Sequence, residues 1–242
     1  VSGTRARIIR YAINAPADVT AHGIDLDMSG TGFTLHNGGS HPVSSLLVGE
    51  FNVQNILAAA ATGLALGISA ETIVRGIAAA PPVRGRFERI RGADGRIAII
   101  DYAHTPDALE RSLRTIRQLL PATGSRIITV FGCGGNRDGG KRPIMGRIAS
   151  ELSDVTIVTS DNPRREDPLL IIDEIRAGTK PGAAVETVPD RRAAIHRGLD
   201  LAARGDVVLV AGKGHETYQV LGATTIHFDD REEVERYLGT NQ

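Results

Sequence analysis

Three observations predict an α/β fold whose C-terminal part is a doubly wound, Rossmann-like domain. From residue 87 onward, apolar β-branched runs alternate with helix-start signals at intervals of roughly 30 residues, the size of a βαβ unit. Those runs are apolar throughout rather than alternating, as parallel strands covered on both faces require. Four of them end in clusters far more polar than their own interiors, and open α/β sheets gather ligand groups at the carboxyl ends of their strands.

The elements follow in order. From Arg5 to about Val48 apolar and polar residues alternate between Gly, Asn and Pro punctuation, in RARIIRYAI, DVTAHGIDL, GFTLHNG and SSLLVG, which predicts antiparallel strands. The Ala- and Leu-rich run FNVQNILAAAATGLALG predicts a helix stopped at Gly67, and SAETIVRGIAAA a second one capped by Ser69 and ended by Pro81 and Pro82. The Pro-, Gly- and Arg-rich PPVRGRFERI reads as a hinge, dividing the chain into 1–86 and 87–242. Beyond it lie five strands: IAIID to Asp101, RIITVF to Phe131, VTIVT to Thr159, a weaker AVETV near Val185, and VVLVAG to Gly212. Thr105 and Asp167, each before a proline, and Asp190 mark helix starts between them.

Composition excludes several classes. With 28 basic and 28 acidic residues in 242, the net charge is zero, so nothing favours bulk attraction to nucleic acid or to an anionic membrane. No window approaches the roughly 18 to 20 apolar residues of a membrane span and no signal peptide is seen, which makes the cytoplasm the default location. Cys133 is the single cysteine, excluding an internal disulfide and a multi-cysteine metal site. The chain opens on Val1 rather than Met, as a fragment would.

The polar clusters are DYAHTPD (101–107), GCGGNRDGGKRP (132–143), SDNPRREDP (160–168) and GKGHETYQ (212–219), and the predicted sheet brings all four to one edge. In the third, Arg164 and Arg165 can fork a carboxylate while Asp161, Glu166 and Asp167 accept from an ammonium, a mixture suited to a zwitterion such as an amino acid. Gly135 to Lys141 spells the G-x-x-x-x-G-K of a phosphate loop, but Arg142 stands where that motif needs Ser or Thr for magnesium. Its glycines either admit an anion, aided by Arg137, Lys141 and Arg142, or only make a tight turn. Asp101 can accept from ribose hydroxyls, and His104 beside it is either a ligand group or structural. Lys213, His215 and Glu216 suit ligand positioning, with Glu216 accepting from an ammonium and Gly212 allowing close approach; a solvated turn is the alternative. Asn52 and Asn55, three apart at a helix start, either meet an adenine edge or cap the helix. Arg86 is either a phosphate contact or a surface arginine.

Taken together, GEFNVQN, GRFE, DYAHTPDALE, VFGCGGNRDGGKRP, DNPRREDP and AGKGHETYQ, in that order from Gly49 to Tyr218, resemble the Mur ligase family, and within it the tripeptide-forming branch. The resemblance implies an ATP- and Mg2+-dependent amide-bond ligase of peptidoglycan synthesis. In such enzymes ATP phosphorylates a carboxylate of the UDP-N-acetylmuramoyl dipeptide, and the incoming amino group attacks the acyl phosphate. The DNPR sequence implies meso-diaminopimelate as the added amino acid. By that similarity Arg137, Asn162, Arg164, Gly212 and Glu216 hold diaminopimelate, Asp161 and Pro163 shape the loop, and Asn52, Asn55, Arg86, Asp101 and His104 belong to the ATP side. The fold implied is the strand-and-helix end of a central ATPase domain followed by the Rossmann-like amino-acid-binding domain.

The family's UDP-sugar domain, true phosphate loop, magnesium ligands and carbamylated lysine have no counterpart here. Catalytic and metal-binding residues are therefore expected upstream of Val1, and the isolated chain is expected to be a monomer without ligase activity of its own. The competing expectations are a stand-alone amino-acid-binding module, a lysine-adding relative, and a nicotinamide-dependent oxidoreductase. The last is disfavoured because GCGGNR lacks the spacing of G-x-G-x-x-G.

Overall fold

The computed structural model describes residues 3–120 and 124–240, and the chain divides into two compact units at Pro82–Val83. The division falls ahead of Arg86 because Arg84 donates to Asp229, the Gly85 amide donates to Glu88 and Arg86 stacks on Tyr102, all groups of the second unit.

In the first unit, β1 (Tyr11–Ala12), β2 (Val19–Leu26), β3 (Thr31–His36) and β4 (Ser40–Ser45) form one sheet in chain order. Two expectations need correction. The first strand is a two-residue segment running parallel to β2, not antiparallel. The last begins at Ser40 rather than within SSLLVG: it is an edge strand, and an edge tolerates Pro42, which cannot donate to a neighbour. Alternate residues Thr31, Phe33 and Leu35 turn inward against α1 (Glu50–Ala65) and α2 (Ala70–Ala79). Val53, Leu57 and Ala60 of α1 complete that core, and Ser69 caps α2 by accepting from the Thr72 amide.

The second unit is built on a six-stranded sheet. Its strands are β5 (Glu88–Arg91), β6 (Ile97–Asp101), β7 (Ile127–Phe131), β8 (Val155–Val158), β9 (Val185–Thr187) and β10 (Val207–Ala211), arranged β5-β6-β10-β7-β8-β9. Only β5 is antiparallel to its neighbour. The connecting helices are α3 (Pro106–Leu119), α4 (Lys141–Leu152), α5 (Pro168–Ala177) and α6 (Arg191–Leu201). The chain steps across the sheet from β6 to β9 and then returns to insert β10 between β6 and β7. Parallel crossovers are right-handed, so reversing the direction of travel moves the connecting helix to the other face. Ala194, Ile195 and Leu199 of α6 accordingly pack on Ile100, Ile128, Val130, Val208 and Val210, while α3, α4 and α5 lie side by side against the opposite face. Leu109, Leu113 and Ile116 of α3 are each fully buried there, worth about 1.5–3 kcal/mol apiece. Thr105, Asp167 and Asp190 cap α3, α5 and α6 as their sequence positions predict. Not anticipated were β5, the hairpin of β11 (Tyr218–Leu221) and β12 (Thr224–His227), and α7 (Asp230–Leu238), which packs with α6.

Two buried carboxylates fix the frame. Fully buried Arg191 at the start of α6 donates Nε and Nη2 to Asp230 of α7 at 2.7 and 2.8 Å, and Nη2 also reaches the Ala211 carbonyl at 3.0 Å. The pair therefore ties two helices to the carboxyl end of β10. At the opposite edge Asp206, 2% exposed, accepts from the Arg126 and Ala203 amides and from the Arg126 guanidinium. Burial pushes its pKa up, but these bonds outweigh that and hold it below the usual 3.8. A depressed folded-state value means that the carboxylate stabilises the unit above its unfolded pKa and that this stability is lost as pH falls through the folded value. Denaturant melts from pH 7 down to about pH 3 are expected to show a decline that Asp206→Asn flattens, together with a lower stability of the variant at pH 7.

Candidate functional site

In register, Ala211 of β10 lies opposite both Asp101 of β6 and Phe131 of β7, and Phe131 lies opposite Val158 of β8. Four strands thus stop at one level, and the loops that follow enclose a cavity of about 530 Å³. Tyr102, His104 and Thr105 come from the first loop, and Gly132, Cys133, Gly134, Arg137, Asp138 and Lys141 from the second. Asp161, Asn162 and Arg164 come from the third, and Gly212, Glu216 and Tyr218 from the fourth. The amino-acid set expected from sequence converges here with the exception of Pro163. His104, expected on the ATP side, lines the same cavity.

The second and third loops are stitched together by backbone and side-chain hydrogen bonds. The Gly135 amide donates to the Asn162 carbonyl at 2.9 Å, Arg164 Nη1 donates to the Gly135 carbonyl at 2.9 Å, and the Arg165 amide donates to Asn136 Oδ1 at 3.1 Å. Glu166 accepts from the Asn136 amide and from Arg142, and these contacts hold its carboxyl below the usual range. A side chain on Gly135 would begin 1.9 Å from the Pro163 carbonyl oxygen, so this glycine admits the neighbouring loop. Pro163 itself is buried and does not line the cavity.

Arg164 adopts φ 54, an uncommon region for a residue with a side chain. The β11–β12 hairpin imposes it: the Arg164 amide donates to Val220 at 3.1 Å, and its carbonyl accepts from Gly222 at 2.7 Å. The same hairpin fixes the preceding residues, with Gln219 Nε2 donating to the Asp161 carbonyl at 2.7 Å and the Val220 amide to Asn162 Oδ1 at 2.9 Å. Asn162 Nδ2 donates to Glu216 Oε2 at 2.8 Å. Gly212, at φ 118, brings the fourth loop so close that a Cβ would lie 2.9 Å from Asp161 Oδ2.

The cationic loop predicted at 137–142 is only partly realised. Arg142 does not face a ligand: its side chain is 3% exposed and is spent on Glu166 at 2.9 Å and Glu174 at 2.8 Å. Lys141 begins α4 and donates Nζ to the His104 carbonyl at 2.7 Å. Arg137 alone of the three is exposed and has no partner among the described residues. Cys133 is buried beside Met145, and burial pushes its thiol up to about 12, which keeps it unreactive in the cavity wall.

The other expected residues lie elsewhere. In the first unit, Asn55 Nδ2 donates to Asn52 Oδ1 at 3.1 Å and Asn52 donates to the Val48 carbonyl, so the two do share one side of α1. Neither caps it, because the N-cap is Gly49. In the second unit, exposed Arg86 stacks 4.6 Å above the Tyr102 ring, which also meets the rings of His104 and His215. Asp101 accepts from the Phe87 amide at 2.7 Å, and burial raises its pKa. Its carboxylate is thereby engaged in holding the backbone that enters the sheet. Among the described residues no cluster of three or more His, Cys, Asp or Glu is arranged to hold a metal ion. Tyr218, Gln219 and Val220 were missed from sequence; the alternation YQVL followed by TTIH around Gly222 was the available hairpin signal.

Comparison with known proteins gives two family matches, the Mur ligase middle domain over residues 1–63 and the Mur ligase glutamate ligase domain over residues 85–214. The UDP-N-acetylmuramoyl-L-alanyl-D-glutamate–2,6-diaminopimelate ligase of Geobacillus kaustophilus is 48% identical over 94% of this chain and 46% of its own length. The ligase of the same name from Gloeobacter violaceus is 54% identical over 81% of this chain and 40% of its own. A solved structure with that name superposes with a TM-score of 0.71 at 37% identity, covering 97% of this chain and 48% of the other. A UDP-N-acetylmuramate–alanine ligase from Thermotoga maritima, 19% identical with a TM-score of 0.65, shares the fold. The chain spans about half the length of the curated relatives it matches.

Proposed function

Since the chain belongs to the Mur ligase family, we propose that it supplies the amino-acid-binding part of an ATP-dependent ligase that adds meso-diaminopimelate to UDP-N-acetylmuramoyl-L-alanyl-D-glutamate in peptidoglycan synthesis. One observation carries the choice of ligand: Arg137, Arg164 and Glu216 line a single cavity, and among the described residues neither arginine forms an ion pair with Glu216. A ligand with a carboxylate and an ammonium on the same carbon satisfies both, and diaminopimelate has two such centres. Arg164 presents its guanidinium to the carboxylate, Glu216 takes the ammonium, and Asn162 has one Nδ2 hydrogen left to donate.

The amino group at the far end of the ligand is then free to attack an acyl phosphate. The new C–N bond forms as the C–O bond to phosphate breaks, and the amine loses its proton. The chain's part in this step is to hold the nucleophile at a fixed place, which turns an encounter into an oriented reaction. ATP and Mg2+ are the proposed co-reactants. Asn52 and Asn55 of the first unit, and Arg86, Asp101 and His104 of the second, are the residues we assign to ATP. Among the described residues no helix is long and apolar enough to cross a membrane, and we place the reaction in the cytoplasm with a monomeric enzyme and small-molecule substrates only.

Calorimetric titration of the chain with meso-diaminopimelate and with L-lysine tests the reading. Diaminopimelate is expected to bind at least about tenfold more tightly, since lysine, with its α-amino group at the reacting end, leaves Arg164 without a carboxylate partner. Preference for lysine overturns the assignment.

A further inference from the structure

A cavity lined by arginines and a glutamate faces a problem of its own: the opposite charges can neutralise one another before a ligand arrives. In this structure Glu216 pairs with neither Arg137 nor Arg164; its one ion-pair partner among the described residues is Lys213. Lys213 is fully buried and does not line the cavity. Its Nζ donates to Asn162 Oδ1 at 3.2 Å and to Glu216 Oε2 at 3.4 Å, and it lies 5.6 Å from the centre of the Tyr218 ring.

The three groups form a closed arrangement whose polarity is determined. The Val220 amide can only donate, so the atom of Asn162 that faces it is the carbonyl oxygen. Nδ2 must then face Glu216, and it does, at 2.8 Å. Oε2 of Glu216 thus receives both Asn162 and Lys213, while Oε1 has no hydrogen-bond partner among the described residues. A buried ammonium without partners is costly, so Lys213 holds the two acceptors as firmly as they hold it.

We propose that Lys213 is a positioning residue that keeps the amino-acid site open. It anchors Glu216 and Asn162 from behind, so that Glu216 meets the ligand's ammonium instead of swinging onto Arg137 or Arg164. The inference rests on the reading that this cavity takes an amino acid. It assigns a role to a residue that contacts no ligand.

The test is a double-mutant cycle on the 242-residue chain, with meso-diaminopimelate as the calorimetric probe. Lys213→Met is expected to raise Kd about thirtyfold, the worth of one well-placed contact to a charged group. In a Glu216→Gln background the same change is expected to cost less than about threefold, because its route of action is gone. Equal losses in the two backgrounds overturn the proposal, and so does unchanged or tighter binding by Lys213→Met, which would make Lys213 a competing charge. If that variant does not fold, nitrogen-15 NMR of the wild-type chain decides. A Lys213 ammonium protected from exchange supports the anchoring; one in fast exchange with water overturns it. Failure of the wild-type chain to bind diaminopimelate overturns the ligand reading and this inference together, whereas wild-type binding with equal losses overturns the inference alone.

Discussion

Arg191→Met is expected to destabilise the second unit by about 3–5 kcal/mol, the usual cost of removing one partner of a buried ion pair. Asp230 is fully buried and would be left with its charge and without the two guanidinium bonds that satisfy it. The Ala211 carbonyl would lose its donor at the same time. For a unit of this size the loss corresponds to a fall in Tm of roughly 10 °C or more, read by calorimetry or circular dichroism. The double variant Arg191→Met with Asp230→Leu is expected to recover most of it, since both charges leave together and apolar groups of similar volume replace them. A double variant no more stable than the single one would show that the pair is held for geometry, through Ala211, more than for charge.

Arg164→Ala is expected to weaken binding of meso-diaminopimelate by about a hundredfold, because a guanidinium fork facing a carboxylate is the strongest polar contact the cavity offers. Its neighbour supplies the control. Arg165 is exposed and outside the cavity, so Arg165→Ala is expected to stay within about threefold of the parent, as surface substitutions do. Both alanine variants are measured by titration, with Tm recorded to separate binding from folding. The backbone of Arg164 is already in the left-handed region with a side chain attached, so alanine adds no new strain there. Equal losses in the two variants would move the carboxylate site away from Arg164.

Those two arginines are adjacent in the sequence and equally suited to a carboxylate on composition alone, which marks the boundary of what the sequence reveals. The convergence of four loops was legible, because it needs only the positions of strands and the rule that their carboxyl ends share an edge. The helix caps at Thr105, Asp167 and Asp190 were legible for the same reason: each is a local arrangement of side chain and backbone. What could not be read depends on pairs distant in sequence. Arg142 looked like an anion contact until Glu174, on the next helix, was seen to claim it. Asp101 reads as an acceptor for a ribose, and the Phe87 amide that also donates to it could not be foreseen from sequence. Lys213 reads as a ligand-positioning group and Gln219 only as a neighbour of such groups, yet each is engaged by a partner more than 50 positions earlier, Asn162 and Asp161. The edge strand β4 was displaced in the reading because Pro42 argues against a strand unless it is known to be at an edge.

The hairpin that sets the conformation of Arg164 also has a place in time. A ribosome releases the DNPR segment and β8 well before it releases residues 218–222, and until those emerge nothing accepts the Arg164 amide and Asn162 Oδ1 lacks its backbone donor. Contacts so far apart along the chain form late, after the entropy of closing the intervening loop has been met. A nascent chain halted before Tyr218 could therefore have its central strands in order and still lack a ligand site. Competence to bind would arise only when this hairpin closes over a loop made 58 residues earlier.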